Sequence, residues 1–168
     1  MGYESKKLSL RKRKMLEVKI VRVGIEVNSQ LPVVVLKEKE EGKTFSLSVG
    51  LFELKAIAFA LQNVKPSRPL IHDLTKSLIE ALHGKIEKVV MTDLVNNTLY
   101  ARIILREERR SLEVDSRPSD AIALALRSRV PIFITGKALN KMTALISNKE
   151  AEDFKKKLKG LNPGDSIG

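Results

Sequence analysis

The chain has 168 residues, a length that suits one domain with a hydrophobic core and additional terminal segments. Aliphatic residues must build that core, because 43% of the residues are hydrophobic but only 4% are aromatic. Cysteine is absent, which excludes disulfide bonds and thiolate metal sites. No apolar run approaches the ~18 residues that a transmembrane helix needs, and no secretory signal is visible. We therefore expect a cytoplasmic protein without a membrane partner.

The formal net charge of +11 is concentrated at the two ends of the chain. Residues 1–15 carry six Lys or Arg against one acid, and residues 137–168 carry seven against four. We predict a basic flexible tail at 1–15, a folded domain at 16–136 and a Lys-rich helical extension with a frayed end at 137–168. Such ends contact phosphates or anionic lipid, or they only keep the chain soluble.

The first half of the domain shows three strands and two helices in its hydrophobic pattern. Period-2 alternation and β-branched runs predict the strands, and a 3.6-residue period predicts the helices. The predicted strands are 16–23, 33–36 and 44–49, and the predicted helices run from Gly50 to Leu61 and from His72 or Asp73 to about Leu82. On the third strand, Phe45, Leu47 and Val49 should point into the core.

The second half repeats the three strands and the first helix and adds a strand and two helices. Asn96-Asn97 predicts a tight hairpin, because Asn tolerates positive φ, and we expect nearby Asp93 to serve that turn. Ser147 to Glu150 has the spacing of a capping box, which predicts that a new helix begins there. The predicted strands are 85–95, 99–105, 111–114 and 131–134, and the predicted helices are 117–126, 137–146 and 149–159.

An internal repeat is visible at an offset of 65 residues. Ser46-Leu47-Ser48-Val49 matches Ser111-Leu112-Glu113-Val114, and residues 56–61 match residues 121–126. We interpret this as a duplicated unit of three strands and a helix, which predicts an α+β fold with helices packed on an antiparallel-rich sheet. Both repeat helices are apolar almost all round, so they lie inside the domain or in a subunit interface, and we expect a homo-oligomer, with a dimer favoured.

A charged corner at residues 115–120 exists in only one copy of the repeat. Asp115 and Asp120 have the hard oxygen ligands that Mg²⁺ or Mn²⁺ prefers, and Arg117 is suited to hold a phosphate oxygen. A structural role explains the same residues, because Asp115 or Ser116 would cap the following helix and Asp120 would complement its dipole.

Three further charged positions allow the same two readings. His72 and Asp73 offer a base or a ligand, or they cap a helix. Glu53 assists the site, or it complements the dipole of the first repeat helix. No phosphate-binding Gly-rich loop, zinc-binding His pair or nucleophile elbow is present in the sequence.

The sequence resembles the bifunctional nuclease domain family over about residues 17–140. The matching blocks are residues 49–58, 68–74, 89–94, 99–102 and, most specifically, 115–125. Two positions depart from the family pattern, because Ile71 stands where Thr is common and Leu54 where Ala is common. The resemblance implies an α+β fold built by duplication, often in oligomers, and an activity on both RNA and DNA.

Together these observations predict a nuclease of low sequence specificity that uses Mg²⁺ or Mn²⁺. The predicted catalytic residues are Asp115, Asp120, Glu53, His72 and Asp73, with Asp115 and Asp120 binding the metal and with Arg68 and Arg117 binding phosphate. The alternatives are a non-catalytic nucleic-acid-binding or regulatory module and an oligomer that binds an anion or a small ligand.

Overall fold

Seven strands form one mixed sheet, and four helices accompany it, in a computed structural model that describes residues 14–159. The predicted α+β class is confirmed. The strands are β1 (Met15–Ile25), β2 (Pro32–Glu38), β3 (Thr44–Ser48), β4 (Gly84–Val95), β5 (Thr98–Glu107), β6 (Arg110–Ser116) and β7 (Ile132–Thr135). The helices are α1 (Leu51–Leu61), α2 (Ile71–Ala81), α3 (Pro118–Ser128) and α4 (Gly136–Lys159). The predicted N-terminal tail and frayed C-terminal end lie almost wholly outside the described residues.

The strand order across the sheet is β3-β2-β1-β7-β4-β5-β6. Strands β1 to β3 pair antiparallel, as do strands β4 to β6, and each set leads into a helix, α1 or α3. The short strand β7 joins the two sets, antiparallel to β1 and parallel to β4. This order agrees with two units of three strands and a helix, although duplication itself stays a prediction.

The core lies between the sheet and the helices, and α3 is its centre. Every residue from Ala121 to Ala125 is buried, because α3 packs on β4 and β5 and also contacts α1 and α2. Its apolar surface is thus explained within the domain, without a subunit interface. On β3, Phe45 and Leu47 are buried as the alternation predicted, and Val49 packs against the same cluster.

Helix α4 differs from the prediction, since one continuous helix replaces the two expected at 137–146 and 149–159. The proposed capping residue Ser147 instead donates its hydroxyl to the carbonyl of Thr143, a contact typical of a helix interior. Neither Gly nor Pro interrupts the segment, so the helix continues. None of the helices within residues 14–159 combines the length and the apolar character needed to cross a membrane.

Asp93 anchors the start of α4 to β4. Its carboxylate accepts hydrogen bonds from Lys137 at 2.7 Å and Lys141 at 2.8 Å, and from the backbone N–H of Leu94. The bond from Lys137, followed by that from Lys141, holds the pKa of Asp93 far below its usual range. These contacts position a helix, and the expected role of Asp93 in the hairpin turn stays a prediction.

Replacing Asp93 by asparagine should reduce the free energy of unfolding by about 1 kcal/mol at pH 7, because the two lysines are partly exposed to solvent. Since folding lowers the pKa of Asp93, its contribution is present above the unfolded value of about 3.9 and is lost progressively as the pH falls from there through the much lower folded value. Urea unfolding at pH 7 and at about pH 2 measures both effects. An equal loss at both pH values would contradict this assignment.

Candidate nuclease site

The corner between β6 and α3 is built around Arg117. Strand β6 ends at Ser116, Arg117 is the N-cap in extended conformation, and Pro118 opens the helix with the φ that it needs. None of the side chains in the described part of the chain caps this helix. The structural reading in which Asp115 or Ser116 caps α3 is therefore wrong, because the N-cap position falls one residue later and Ser116 donates instead to the carbonyl of Arg117.

Arg117 is held by two carboxylates from two helices. Its Nη2 lies 2.9 Å from Glu53 Oε1 on α1. Its Nε donates to Asp120 Oδ2 at 2.6 Å, and Nη2 donates to Asp120 Oδ1 at 3.1 Å. The Arg117 side chain nevertheless remains 66% exposed. The two acids thus orient a guanidinium group whose outer edge faces solvent.

Asp120 also contacts His72, which comes from the first turn of α2. His72 Nε2 lies 2.9 Å from Asp120 Oδ1, and the imidazole is buried. Its Nδ1 has no hydrogen-bond partner among the described residues, so the tautomer with the proton on Nε2 fits best, donating to Asp120. Burial by itself would raise the pKa of Asp120, but the bonds from Arg117 and His72 outweigh it and lower that pKa.

Four of the predicted site residues therefore form one cluster, which we call the corner cluster: Glu53, His72, Arg117 and Asp120. The sequence separates them by up to 67 positions, and the packing of α1 and α2 against α3 brings them together. The predicted dipole-complementing roles of Glu53 and Asp120 are compatible with this arrangement, because both lie in first turns of helices.

Gly50 leaves the space in which the Glu53 side chain folds back. A Cβ atom at Gly50 would lie 2.0 Å from Glu53 Oε2, so only glycine at this N-cap permits that position. Replacing Gly50 by alanine should turn Glu53 away from Arg117 without removing any functional group. If this site cleaves phosphodiester bonds, we expect the rate to fall about 3- to 10-fold, as for one weakened polar contact, with the melting temperature little changed. An unchanged rate would show that Glu53 does not assist Arg117.

Asp73 belongs to a different group, although it is adjacent to His72 in sequence. Arg127 Nε donates to its Oδ1 at 2.8 Å, and its other oxygen accepts the backbone N–H of Leu70. Arg127 Nη1 also donates to the carbonyls of Ala56 and Ala123, each at 3.1 Å. Burial opposes ionisation of Asp73, but the Arg127 contact and the Leu70 N–H lower its pKa.

The sequence analysis did not single out Arg127. Its position in the last turn of α3 suggests only the common contact of a cation with a helix C-terminus. The contacts with α1 and α2 depend on residues more than 50 positions away and leave no local signal.

A groove of about 650 Å³ opens beside the corner cluster. The ends of the two edge strands, β3 and β6, reach it, together with the β4–β5 hairpin and α4. Asp115 and Arg117 are its only charged lining residues among those described, and Ser46, Ser48, Ser116 and Ser119 add hydroxyl-bearing side chains. Arg68 is exposed between α1 and α2 and does not line this groove.

Asp115 and Asp120, the predicted metal ligands, have different surroundings in this geometry. Both oxygens of Asp120 already accept hydrogen bonds, from Arg117 and His72, and the positive guanidinium group opposes a nearby divalent cation. Asp115 is exposed, and within residues 14–159 no group of three or more His, Asp and Glu is arranged to hold a metal ion. As arranged, these residues do not fit a preformed Mg²⁺ or Mn²⁺ site.

Proteins with similar sequences come from bacteria and plants. Two uncharacterised proteins of Mycobacterium tuberculosis are 34% identical over 163 residues, covering 90% of this chain and 98% of theirs. Bifunctional nuclease 1 of Oryza sativa is 32% identical over 106 residues, and that of Arabidopsis thaliana is 29% identical over 108. These matches cover 60% and 61% of this chain but only 32% and 33% of the plant proteins.

A family model agrees with these relatives. The model of the bifunctional nuclease domain matches residues 34–155, a span from β2 to α4 that contains every residue of the corner cluster. The chain therefore belongs to the bifunctional nuclease domain family.

Proposed function

We propose that the protein is a nuclease that hydrolyses phosphodiester bonds of RNA and DNA with low sequence specificity. Family membership supports the reaction class. The observation that carries the proposal is the exposed guanidinium of Arg117 at the edge of the groove, oriented by Glu53 and Asp120. A guanidinium group matches the geometry of phosphate oxygens and keeps its charge at every physiological pH.

In this proposal, Arg117 binds the non-bridging phosphate oxygens and stabilises the charge that develops on them. Asp115 lines the groove and accepts a proton from the attacking water. A bond forms between the water oxygen and phosphorus, the bond from phosphorus to a sugar oxygen breaks, and solvent protonates that oxygen. Glu53, His72 and Asp120 position Arg117. Asp73 has no direct part in cleavage, and its role is to bind Arg127. Arg68 would contact a phosphate outside the groove.

Low specificity is consistent with the groove lining. Apart from Asp115 and Arg117, the described lining residues are apolar or carry neutral polar groups, which suit a sugar or a base of either nucleic acid. Tyr100 lines the groove and is partly exposed, so its ring can stack on any base. None of these described lining residues requires a 2′-hydroxyl as its partner.

Metal dependence is a separate part of the proposal. Asp115 and Asp120 would hold Mg²⁺ or Mn²⁺ only if Asp120 released Arg117. When bound, such an ion would supply Lewis-acid stabilisation of the phosphate charge. If the ion is required, EDTA should abolish cleavage and Mn²⁺ should restore it. Cleavage that survives EDTA would reject the metal while leaving the role of Arg117 intact.

The direct test uses purified protein, labelled single-stranded RNA and DNA, and gel analysis of the products. We expect both substrates to be cut, and Arg117→Lys to be slower by ~10²-fold, because lysine lacks the planar fork. Lys37→Ala, on the exposed surface of β2, is the control and should match the wild type. Binding without cleavage would favour the alternative of a nucleic-acid-binding module, and neither binding nor cleavage would favour an anion- or ligand-binding oligomer.

We also propose that the protein is a homo-oligomer, with a dimer favoured. Helix α2 turns His72, Asp73 and Lys76 towards the domain, while its outward face is apolar and exposed. That face consists of Ile71, Leu74, Leu78 and Leu82. The stripe carries no charge and its four residues recur every three or four positions, so two antiparallel copies of α2 could pack these stripes against each other.

Light scattering tests this arrangement. The wild type should have the mass of a dimer at micromolar concentration, and Leu74→Glu/Leu78→Glu should have the mass of a folded monomer, because two charges would then enter the interface. A wild-type monomer would contradict the proposal.

A cytoplasmic location is proposed as well, in line with the absence of cysteine, and cell fractionation tests it.

A further inference from the structure

Basic residues surround the end of α3 that lies farthest from the corner cluster. Two surface pockets of about 390 Å³ and 270 Å³ open there, and both are lined by Lys76, Arg127 and Arg129. Lys85 lines the first pocket and Lys65 lines the second. Because the pockets share three residues, they form one continuous surface.

Positive charge on this surface is only partly neutralised. Asp73 and Glu80 are the only acidic lining residues in the described part of the chain, and each already pairs with a cation. Asp73 binds Arg127 at 2.8 Å, and Glu80 binds Lys76 at 3.0 Å. Lys65, Lys85 and Arg129 are exposed and form no ion pair within residues 14–159. We call these three residues the basic end of α3.

Arg129 also has a positive φ, as do six other non-glycine residues in the described part of the chain. It ends α3 with φ 54° and ψ 43°, a left-handed conformation in which glycine or asparagine is usual. A long side chain there has a steric cost, which proteins often retain where the side chain is used. Beside it, the buried hydroxyl of Ser128 has no hydrogen-bond partner among the described residues, and Ser128 lines the first pocket.

We propose that the basic end of α3 binds backbone phosphates of a single-stranded nucleic acid. The three cations are distributed over two adjoining pockets, which suits successive phosphates of a strand better than one compact anion. The further assignment of the scissile phosphate to Arg117 rests on the function proposed above. Helix α3 has 11 residues and is about 16 Å long. About five stacked nucleotides would therefore separate the phosphate bound at the basic end of α3 from the phosphate bound by Arg117.

The first test compares two double variants with the same change in net charge. Lys65→Ala/Lys85→Ala removes two cations of the basic end, and Lys19→Ala/Lys37→Ala removes two exposed cations on β1 and β2. Fluorescence anisotropy measures binding of a labelled oligothymidylate of about 15 nucleotides at several salt concentrations, in EDTA at low temperature. The first variant should bind at least ~10-fold more weakly, with a log–log salt slope reduced by about 1.4, and the control should change less than ~2-fold. Equal losses in both variants, or no loss in either, would overturn the proposal.

The second test uses Arg129→Gly, for which binding and stability should change in opposite directions. Glycine removes the charge and relieves the left-handed conformation, so binding should weaken ~3- to 10-fold while the melting temperature stays equal or rises. His83→Gly is the control, because His83 also has positive φ (59°) and lines neither pocket. This control should keep wild-type affinity at pH 8. Wild-type affinity in Arg129→Gly would overturn the role of its side chain.

Binding and cleavage are separate measurements, so the two proposals fail separately. Affinity that depends on the basic end, without any cleavage by the wild type, would reject the nuclease and uphold the binding surface. Cleavage that depends on Arg117, combined with unchanged affinity in the variants of the basic end, would uphold the nuclease and reject the surface.

Discussion

Replacing Asp120 by asparagine is expected to slow phosphodiester cleavage by 10²- to 10³-fold (roughly 3–4 kcal/mol). Asparagine keeps the shape of the side chain but removes the charge that Arg117 and His72 both contact. One of its two polar atoms becomes a donor, which faces a donor on Arg117 or on His72. The guanidinium group would then lose the orientation that suits a phosphate. Initial rates with labelled single-stranded RNA measure the effect.

Two companion variants make this result interpretable. Asp153→Asn alters an exposed carboxylate on α4 and should match the wild type. Asp115→Asn removes the proposed base without touching the corner cluster, so it should lose activity while retaining affinity for the substrate. If Asp120→Asn cleaves as fast as the wild type, the activity does not come from the corner cluster, and a contaminating nuclease becomes the explanation.

Replacing Arg127 by lysine should lower the free energy of unfolding by about 2–4 kcal/mol. The buried guanidinium group joins three helices at once, because it binds Asp73 on α2 and the carbonyls of Ala56 on α1 and Ala123 on α3. A lysine ammonium has neither the reach nor the planar fork to make these contacts together. It would leave Asp73 or a carbonyl without its partner. Urea unfolding at pH 7 measures the loss.

Arg106→Lys is the matched control, since Arg106 forms an exposed ion pair with Glu87 and should change stability by less than about 0.5 kcal/mol. The pH dependence gives a second check. Folding lowers the pKa of Asp73, so its contribution is present above the unfolded value of about 3.9 and is lost as the pH falls through the folded value. Arg127→Lys should therefore reduce the acid sensitivity of stability. If Arg127→Lys lowers the free energy of unfolding as little as Arg106→Lys does, Arg127 does not join the three helices.

Sequence patterns identified the elements where the relevant interactions are local. Alternation placed Phe45 and Leu47 in the core, and apolar character all round predicted that α3 lies inside the domain or at an interface. The continuous α4 was missed because the capping pattern at Ser147 has two local solutions. The spacing favours a helix start, but the bond to the Thr143 carbonyl is equally available in an uninterrupted helix.

The sequence identified individual residues of the candidate site but not which of them contact one another. Glu53, His72, Arg117 and Asp120 were all named from the sequence, yet nothing local indicated that Asp120 contacts His72 or that one arginine binds two acids. Asp73 and His72 are adjacent in sequence but point to different partners, because successive helical residues lie about 100° apart. Long-range packing decides these pairings.

The length of α4 has a consequence for local unfolding. Its first part is fixed by Ala138, Leu139 and Met142 in the core and by the contacts of Asp93. From Ser147 to Glu150, and at Glu152, Asp153 and Lys156, the side chains are exposed. A helical segment whose described side chains are exposed depends on the turn before it, because short isolated helices are marginal in water. Amide hydrogens of α4 should therefore exchange in a graded order, slowest near Leu139 and progressively faster towards Lys159.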